Sequence, residues 1–269
     1  MLKFTKDKRE YGLLPLFKGN NPKINHIFIN GFMSDEIEDC KANDWLNGLE
    51  KFIDSSDNKF IYSWECSVDY GNLKNHIPFI NGFRNEMKKI KHLSPLALLG
   101  RSSLFLAIPA TFSLFCYEEW KISKENSVKY GLNLANEIIK LTKYQNNKIN
   151  LYAHSLGVNL LKNTLLELSK YEIQIERVFL FGGASCIKDE KEWLKVCNLT
   201  TKGVYNFYTK NDAVLKYFYR IAELGSVPVG LSPLLLKDCN KLFNIDVSDF
   251  VKGHFEYKKN LPKLFKNLE

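Results

Sequence analysis

Short apolar segments that alternate with helical patterns are the feature that most constrains the fold of this 269-residue chain. Most of these segments are apolar at nearly every position, which is typical of strands buried on both faces of a parallel sheet. The predicted strands span residues 24–32, 59–65, 148–153, 177–181, 203–208 and 241–247. The predicted helices span residues 43–52, 123–144 and 156–171. Because strands that alternate with helices need right-handed crossovers, the sequence predicts an α/β fold with a doubly wound, mostly parallel sheet.

Length and composition favour one globular domain over residues 1–269. A chain of this length can bury a single large core, and 45% hydrophobic with 25% charged residues excludes a disordered tail or a collagen-like repeat. The 38 basic and 30 acidic residues leave a net charge of +8. Because these charges are spread along the chain without a basic block, we expect no nucleic-acid partner and interpret the excess as a solvated surface that tolerates anionic lipid. The sequence does not indicate an oligomeric state.

The six cysteines lie far apart, and none belongs to a CxxC pair. This spacing argues against a zinc site and against a small disulfide scaffold, so we expect neither a metal ion nor another cofactor. The start of the chain is charged and lacks the apolar core of a signal peptide. We therefore expect a cytoplasmic protein with reduced thiols. Whether it also associates with a membrane depends on one apolar segment.

Residues 93–117 form that segment. A transmembrane helix needs about 20 continuous apolar residues, but Arg101, Ser102 and Ser103 interrupt the run. Its better half, residues 104–117, is nearer in length to a buried or interfacial helix. Three interpretations stay open, namely core helices, an apolar helical cap over the substrate site that contacts a membrane peripherally, and a true membrane span.

The most specific local motif runs from Ala153 to Gly157, between a predicted strand and an amphipathic helix. A serine at such a strand-to-helix turn has a strained backbone, which leaves room only for small residues two places before and two places after it. Ala153 and Gly157 meet that demand around Ser155. The helix that starts at Leu156 directs its positive end at developing negative charge. The pattern therefore favours a nucleophile elbow over a plain helix N-cap serine.

A serine nucleophile needs a base, and that base needs an acid that orients it. In α/β hydrolases the order along the chain is serine, acid, histidine, with each partner in a loop after a later strand. Asp212 follows the predicted strand at 203–208, while His254 follows the last strand and is the only histidine after the elbow. We expect these two residues to complete a catalytic triad with Ser155. Asp189, one strand earlier, is a competing acid.

Other titratable residues near these positions have more ordinary interpretations. Asp246 and Asp249 lie so close to His254 in sequence that surface or capping roles are expected. His154 precedes the nucleophile, where packing or hydrogen bonding beneath the elbow is the expected role.

The oxyanion of an acyl-transfer intermediate needs two preorganised donors. The N–H of Leu156, directly after the nucleophile, is one candidate. The other is expected in the loop after the first predicted strand, where Gly31 permits close backbone approach and the N–H of Phe32 is the preferred donor. An ordinary tight turn at Asn30 and Gly31 is the alternative interpretation of this loop.

Several motifs together resemble one family, the transmembrane-and-coiled-coil-domain protein four family of predicted α/β hydrolases. They comprise residues 29–35 with Trp45, residues 153–157, 181–184, 206–215, 244–248 and 253–257. The similarity runs over nearly the whole chain. The resemblance implies an α/β-hydrolase fold and gives Ser155, Asp212 and His254 the roles of nucleophile, acid and base. It also implies an apolar stretch where residues 93–117 lie, but no particular substrate.

The function that these residues favour is a serine hydrolase that cleaves carboxylic esters through an acyl-enzyme. The apolar segment at residues 93–117, together with aromatic and leucine residues within 214–219, points to lipid or other apolar acyl substrates. The alternative is a catalytically inactive hydrolase-fold scaffold that binds a protein or membrane surface, which the basic charge and the apolar segment permit. The sequence does not distinguish esterase, lipase and amidase activities.

Overall fold

A computed structural model describes residues 11–32, 40–66, 110–144, 146–237, 239–266 and 268. The strands within them span Gly12–Phe17 (β1), Ile24–Ile29 (β2), Asn58–Ser63 (β3), Lys148–His154 (β4), Arg177–Phe181 (β5), Val204–Tyr208 (β6) and Leu242–Asp246 (β7). These seven strands form one sheet in the order β1-β3-β2-β4-β5-β6-β7. β1 runs antiparallel to β3, and the other neighbouring pairs are parallel. The predicted α/β fold with a mostly parallel sheet is confirmed.

Helices cover both faces of this sheet. They span Cys40–Leu49 (α1), Ala110–Tyr144 (α2), Gly157–Leu168 (α3), Glu190–Leu199 (α4) and Tyr257–Lys266 (α5). A further helical segment follows β6; it begins as a π-helix over Val214–Tyr219 and continues as an α-helical turn over Arg220–Ala222. A single 3-10 turn over His254–Glu256 precedes α5.

Alternate residues of the central strands face opposite helical layers. In β2, Ile27 and Ile29 join the apolar cluster that includes residues of α2, α3 and α4, whereas Phe28 joins the cluster that includes residues of α1 and α5. All three side chains are fully buried, which explains why the segment is continuously apolar in sequence. With both faces covered, the loops at the carboxyl ends of the parallel strands are the place where this kind of sheet builds a site.

The sequence prediction omits β1 and begins α2 too late. β1 contains Pro15, lies at the edge of the sheet and has an irregular register against β3 between Pro15 and Phe17. A proline is tolerated at such an edge, but in sequence it makes the segment look unlike a strand. α2 begins at Ala110, so residues 110–117 of the predicted apolar segment are the first turns of this long helix.

The rest of that apolar segment, residues 93–109, lies outside the described residues. Core helices, a cap and a membrane span therefore stay predictions for it. Among the helices that the structure describes, none combines the length and the continuous apolarity needed to cross a bilayer.

Candidate active site

Ser155 lies on the turn between β4 and α3, at the carboxyl edge of the sheet. Its backbone is left-handed, with a φ of +57°, which is a strained conformation typical of a nucleophile elbow. The Ser155 N–H donates to the carbonyl of Phe181 at 3.1 Å, and the Ser155 carbonyl accepts from the N–H of Ala184 at 2.9 Å. The end of β5 and the loop after it therefore hold the backbone of this turn on both sides.

Small residues are required around Ser155 by close packing. A Cβ on Gly31 would lie 2.5 Å from the Cβ and 3.0 Å from the Oγ of Ser155. A Cβ on Gly157 would lie 2.5 Å from the carbonyl oxygen of Asn30. Ala153 is fully buried in β4 between the neighbouring strands. The loop after β2 and the start of α3 thus meet at the serine, and a larger residue at either glycine would force them apart.

His254 lies within hydrogen-bond distance of both other residues predicted as a triad. His254 Nε2 is 2.8 Å from Ser155 Oγ, and His254 Nδ1 is 2.6 Å from Asp212 Oδ2. The other carboxylate oxygen of Asp212 accepts the N–H of Leu215 at 2.9 Å. All three side chains are buried, and Asp212 is fully enclosed. The structure therefore brings together residues from three separate loops at one point of the sheet edge.

With an ionised carboxylate on Asp212 and a neutral imidazole on His254, the hydrogen-bonding capacity of the groups assigns a donor and an acceptor to each contact. An ionised carboxylate can only accept a hydrogen bond, so the proton between Asp212 and His254 is on Nδ1. Nε2 of the neutral ring is then unprotonated and accepts the hydroxyl hydrogen of Ser155. In this arrangement the imidazole can take the serine proton, and the carboxylate can stabilise the imidazolium that results.

The backbone amides predicted as oxyanion donors belong to the two segments that touch Ser155. Leu156 is the N-cap residue of α3, so its N–H has no acceptor within the helix. Phe32 directly follows Gly31 in the loop beside Ser155 Oγ. Its ring packs edge-on against Trp120 of α2, with 5.7 Å between the ring centroids.

Asn30 holds the loop beside Ser155 through three hydrogen bonds. Its side-chain oxygen accepts from Trp45 Nε1 at 2.9 Å and from Lys258 Nζ at 2.6 Å. Its backbone carbonyl accepts from Trp64 Nε1 at 3.0 Å. Because Asn30 is buried, these bonds are shielded from water and fix the backbone two residues before Phe32, the predicted oxyanion donor.

Lys258 links the loop of Asn30 to the segment that carries His254. It lies on α5, four residues after His254, and its ammonium group is 5.0 Å from the centroid of the Trp45 ring as well as bonded to Asn30. Neither Lys258 nor the side chain of Asn30 is predicted from the sequence as part of the site. The two residues are 228 positions apart, and no local motif connects them.

His154, the residue before Ser155 at the end of β4, contacts His254. Its Nε2 donates to the backbone carbonyl of His254 at 3.0 Å, and the two rings have centroids 4.9 Å apart. Burial holds the pKa of His154 well below its usual value, and the charges of His254 and Lys258 act in the same direction. The ring is therefore neutral, and it adds no positive charge beside His254.

The other acids considered in the sequence analysis make different contacts. Asp189 precedes α4 and pairs with a buried lysine of α3 at 2.6 Å. Asp246 accepts a backbone N–H in the turn after β7, and Asp249 is exposed. The carboxylate in contact with His254 is that of Asp212. Asp189, the competing acid, does not contact this histidine.

The fold and the arrangement of these residues are those of the α/β-hydrolase fold. The mostly parallel sheet carries a serine on a left-handed strand-to-helix turn, followed along the chain by an acid after β6 and a histidine after β7. The chain belongs to the family described as "Protein of unknown function (DUF726)", whose profile matches residues 11–269.

Curated relatives connect this family to the one that the sequence motifs resemble. The chain is 26% identical over 250 residues to the transmembrane and coiled-coil domain-containing protein STS1 of Oryza sativa subsp. japonica, which covers 90% of this chain and 36% of that protein. It is 31% identical over 153 residues to the probable lipase MIL1 of Saccharomyces cerevisiae, which covers 55% of this chain and 14% of that protein. The resemblance is thereby confirmed. The matched regions span between 14% and 36% of the length of these and the other curated relatives.

Among solved structures, acyl-protein thioesterase 2 of Zea mays matches with a TM-score of 0.47 and 12% sequence identity, over 96% of this chain and 100% of that chain.

Proposed function

We propose that this chain is a serine hydrolase that cleaves carboxylic esters of apolar acyl groups through an acyl-enzyme. The observation that carries the proposal is the continuous set of short contacts from Asp212 through His254 to Ser155. A serine hydroxyl is a weak nucleophile, and it is activated by a base at hydrogen-bond distance that is itself held by a carboxylate.

In the acylation step, Ser155 Oγ forms a bond to the acyl carbon while His254 Nε2 takes the hydroxyl proton. The electron pair of the carbonyl double bond moves to its oxygen, and the N–H groups of Leu156 and Phe32 stabilise the oxyanion. The carbon–oxygen bond to the alcohol then breaks, and the alcohol leaves with the proton from His254. Asp212 stabilises the positive ring while it holds that proton.

In the deacylation step, water replaces the alcohol. His254 removes a proton from the water as its oxygen attacks the acyl carbon, and the same amides hold the second oxyanion. Collapse of this intermediate returns the proton to Ser155 Oγ and releases the carboxylic acid. Asn30, Lys258 and His154 act here as positioning residues, because they hold the loops that carry these groups.

The apolar acyl group is the finer part of the proposal. One relative is named a probable lipase. Next to the serine loop, Phe32, Trp120 and Phe218 form an aromatic cluster with edge-on contacts of 5.7 and 5.5 Å between ring centroids. Within residues 214–219, Phe218 belongs to this cluster, while Leu215 and Tyr219 are buried in the apolar core.

Hydrolysis of a series of p-nitrophenyl esters tests the proposal. We expect the wild type to turn over the decanoate with a higher kcat/KM than the acetate, and Ser155→Ala to lower kcat by about 10³-fold or more. Ser169→Ala, a change at an exposed serine at the end of α3, is the matched control and is expected to keep full activity. Equal turnover in wild type and Ser155→Ala would contradict the proposal, and inactivity of both would favour the scaffold alternative.

A further inference from the structure

The helical segment that follows the acid loop, residues 214–224, has distinct inner and outer faces. On the inner face, Leu215 and Tyr219 are buried in the core, and Phe218 and Ala222 pack against the same apolar cluster. This spacing of three and four residues is that of an amphipathic helix. The inner face therefore accounts for the stability of the segment.

The outer face carries two cations and two large apolar side chains. Lys216 and Arg220 are exposed, and neither forms an ion pair with any residue that the structure describes. Ile221 is 64% exposed and Leu224 is 94% exposed. The acid of the segment, Glu223, is already engaged by an indole N–H and a lysine of α2. The outer face is thus basic and apolar, and its apolar side chains contribute little buried area to the fold.

Leu224 has a second unusual property. Its φ is +49°, which places a leucine in the left-handed conformation directly after the helix, where glycine is preferred because it has no Cβ. Gly225 follows it, with its N–H bonded to the carbonyl of Arg220 at 2.6 Å. A leucine at this position neither suits the backbone nor packs against the protein. A backbone outlier that serves no packing purpose is a reason to look for a function.

The same segment lies beside the catalytic loops. Phe218 and Tyr219 pack edge-on against Trp120, with 5.5 and 5.7 Å between ring centroids. Trp120 in turn packs against Phe32, in the loop that touches Ser155. A surface that binds the outer face would therefore be held next to the proposed site of ester cleavage.

We propose that the outer face of residues 214–224 docks on an anionic phospholipid bilayer. Lys216 and Arg220 would contact the negatively charged headgroups, while Ile221 and Leu224 would enter the boundary with the acyl chains. The net charge of +8 complements such a surface over longer distance. The inference does not depend on the proposed function, because binding can be measured without turnover.

Sedimentation with vesicles tests the docking surface directly. The full chain is mixed with phosphatidylcholine vesicles that contain about 30% phosphatidylserine, and with pure phosphatidylcholine vesicles, at about 0.15 M salt. We expect binding to the anionic vesicles to exceed binding to the neutral ones by about tenfold or more. Repeating the measurement with Ser155→Ala separates the result from any hydrolysis of lipid.

Two pairs of variants locate the binding residues. Ile221→Ser with Leu224→Ser, and Lys216→Gln with Arg220→Gln, are each expected to weaken binding to anionic vesicles by about tenfold or more. The matched controls are Leu235→Ser, at a leucine that is 73% exposed elsewhere, and Lys191→Gln with Lys195→Gln, which removes two exposed charges of α4. Both controls are expected to bind as the wild type does.

Leu224→Gly separates a loss of vesicle binding from a loss of folding. Glycine suits the left-handed backbone, so this variant is expected to keep the wild-type Tm while binding vesicles less tightly. Wild-type binding that is absent, or equal on both vesicle types, overturns the proposal, as does unchanged binding in the paired variants. A concentration-dependent dimer in ultracentrifugation that Ile221→Ser with Leu224→Ser abolishes would instead assign the face to self-association and would also overturn it.

Discussion

Two buried histidine–aspartate pairs lie at opposite ends of the sheet. At the carboxyl end, His254 contacts Asp212 and Ser155. At the amino end, His26 Nε2 lies 3.3 Å from Asp57 Oδ2, and its Nδ1 lies 2.9 Å from the hydroxyl of a tyrosine in β4. All of these histidine and aspartate side chains are buried. In burial and in the histidine–carboxylate contact the two pairs are therefore alike.

The pairs differ in the third group and in its backbone. At the amino end that group is the hydroxyl of Tyr152, whose pKa is raised by complete burial, and Asp57 is used to cap the N–H groups of Lys23 and Ile24 at 2.9 Å each. At the carboxyl end it is an alcohol on a strained turn, at the start of a helix. Under the proposed function, a histidine–carboxylate contact gains a chemical use only where a hydroxyl on such a turn and free backbone amides lie beside it.

The largest expected effect comes from replacing each histidine by alanine. His254→Ala is expected to lower kcat by about 10⁴-fold or more while the Tm changes little, because it removes the proposed base. His26→Ala is expected to leave kcat within about threefold. It is expected to lower the free energy of unfolding by about 2 to 4 kcal/mol, because it leaves the buried side chains of Asp57 and Tyr152 without a hydrogen-bond partner in His26. Ester turnover and urea unfolding, measured on both variants, check whether one variant loses activity and the other loses stability. The same phenotype in both variants would erase the distinction between the two pairs.

A smaller loss is expected when the acid becomes an amide. Asp212→Asn is expected to lower kcat by about 10³- to 10⁴-fold, since an asparagine neither holds the ring in the required tautomer nor stabilises the imidazolium. Asp189→Asn is the control at the competing acid, which pairs with a lysine, and it is expected to retain activity. Steady-state kinetics on both decide between the two carboxylates. Loss of turnover in Asp189→Asn with normal turnover in Asp212→Asn would reverse the assignment.

Low pH is expected to destabilise the folded protein through His26, the histidine of the amino-end pair. Burial lowers the pKa of His26 from 6.5 to about 4, so between these values the unfolded chain binds a proton that the folded chain does not. The free energy of unfolding is therefore expected to fall by about 3 kcal/mol as the pH drops from about 7 to about 4. Urea titrations of wild type and His26→Gln across this range measure the difference. If both show the same pH slope, His26 is not held neutral by burial.

The smallest expected effect concerns the contact between α5 and the serine loop. Lys258→Met keeps an unbranched side chain but removes the ammonium group, and with it the hydrogen bond to Asn30 and the contact with the Trp45 ring. We expect kcat to fall by about 10-fold with KM nearly unchanged, because a displaced loop weakens oxyanion binding more than substrate binding. Lys258→Arg, which restores a donor, is expected to recover part of the rate. A rise in KM alone would mean that Lys258 contacts substrate and does not position the loop.

The positions of the three residues proposed as a triad follow from sequence because each stands in a loop after a predicted parallel strand. The strands before Ser155 and Asp212 are buried, whereas β7, before His254, is an edge strand with partly buried and exposed side chains. In a parallel sheet the carboxyl ends of such strands lie at one edge, so Ser155, Asp212 and His254 can be expected near one another. The elbow adds a local constraint, since Ala153 and Gly157 satisfy a steric demand visible in five residues.

Contacts between distant elements could not be predicted in the same way. The pairing of His26 with Asp57 depends on the parallel register of β2 against β3, in which His26 is opposite Lys59. The bond from Lys258 to Asn30 depends on how α5 packs over the sheet. β1 escapes prediction because its proline removes a ladder donor, which only an edge position tolerates.

Labelling with a fluorophosphonate probe, followed by peptide mapping, tests the central claim most directly. An activated serine should attack the phosphorus, displace fluoride and remain phosphonylated, so the wild type is expected to carry one label on the peptide that contains Ser155. The label should disappear in Ser155→Ala, be strongly slowed in His254→Ala and persist in His26→Ala. Labelling of Ser155→Ala at the wild-type rate, or of another residue in the wild type, would contradict the claim that the carboxyl-end pair activates this alcohol.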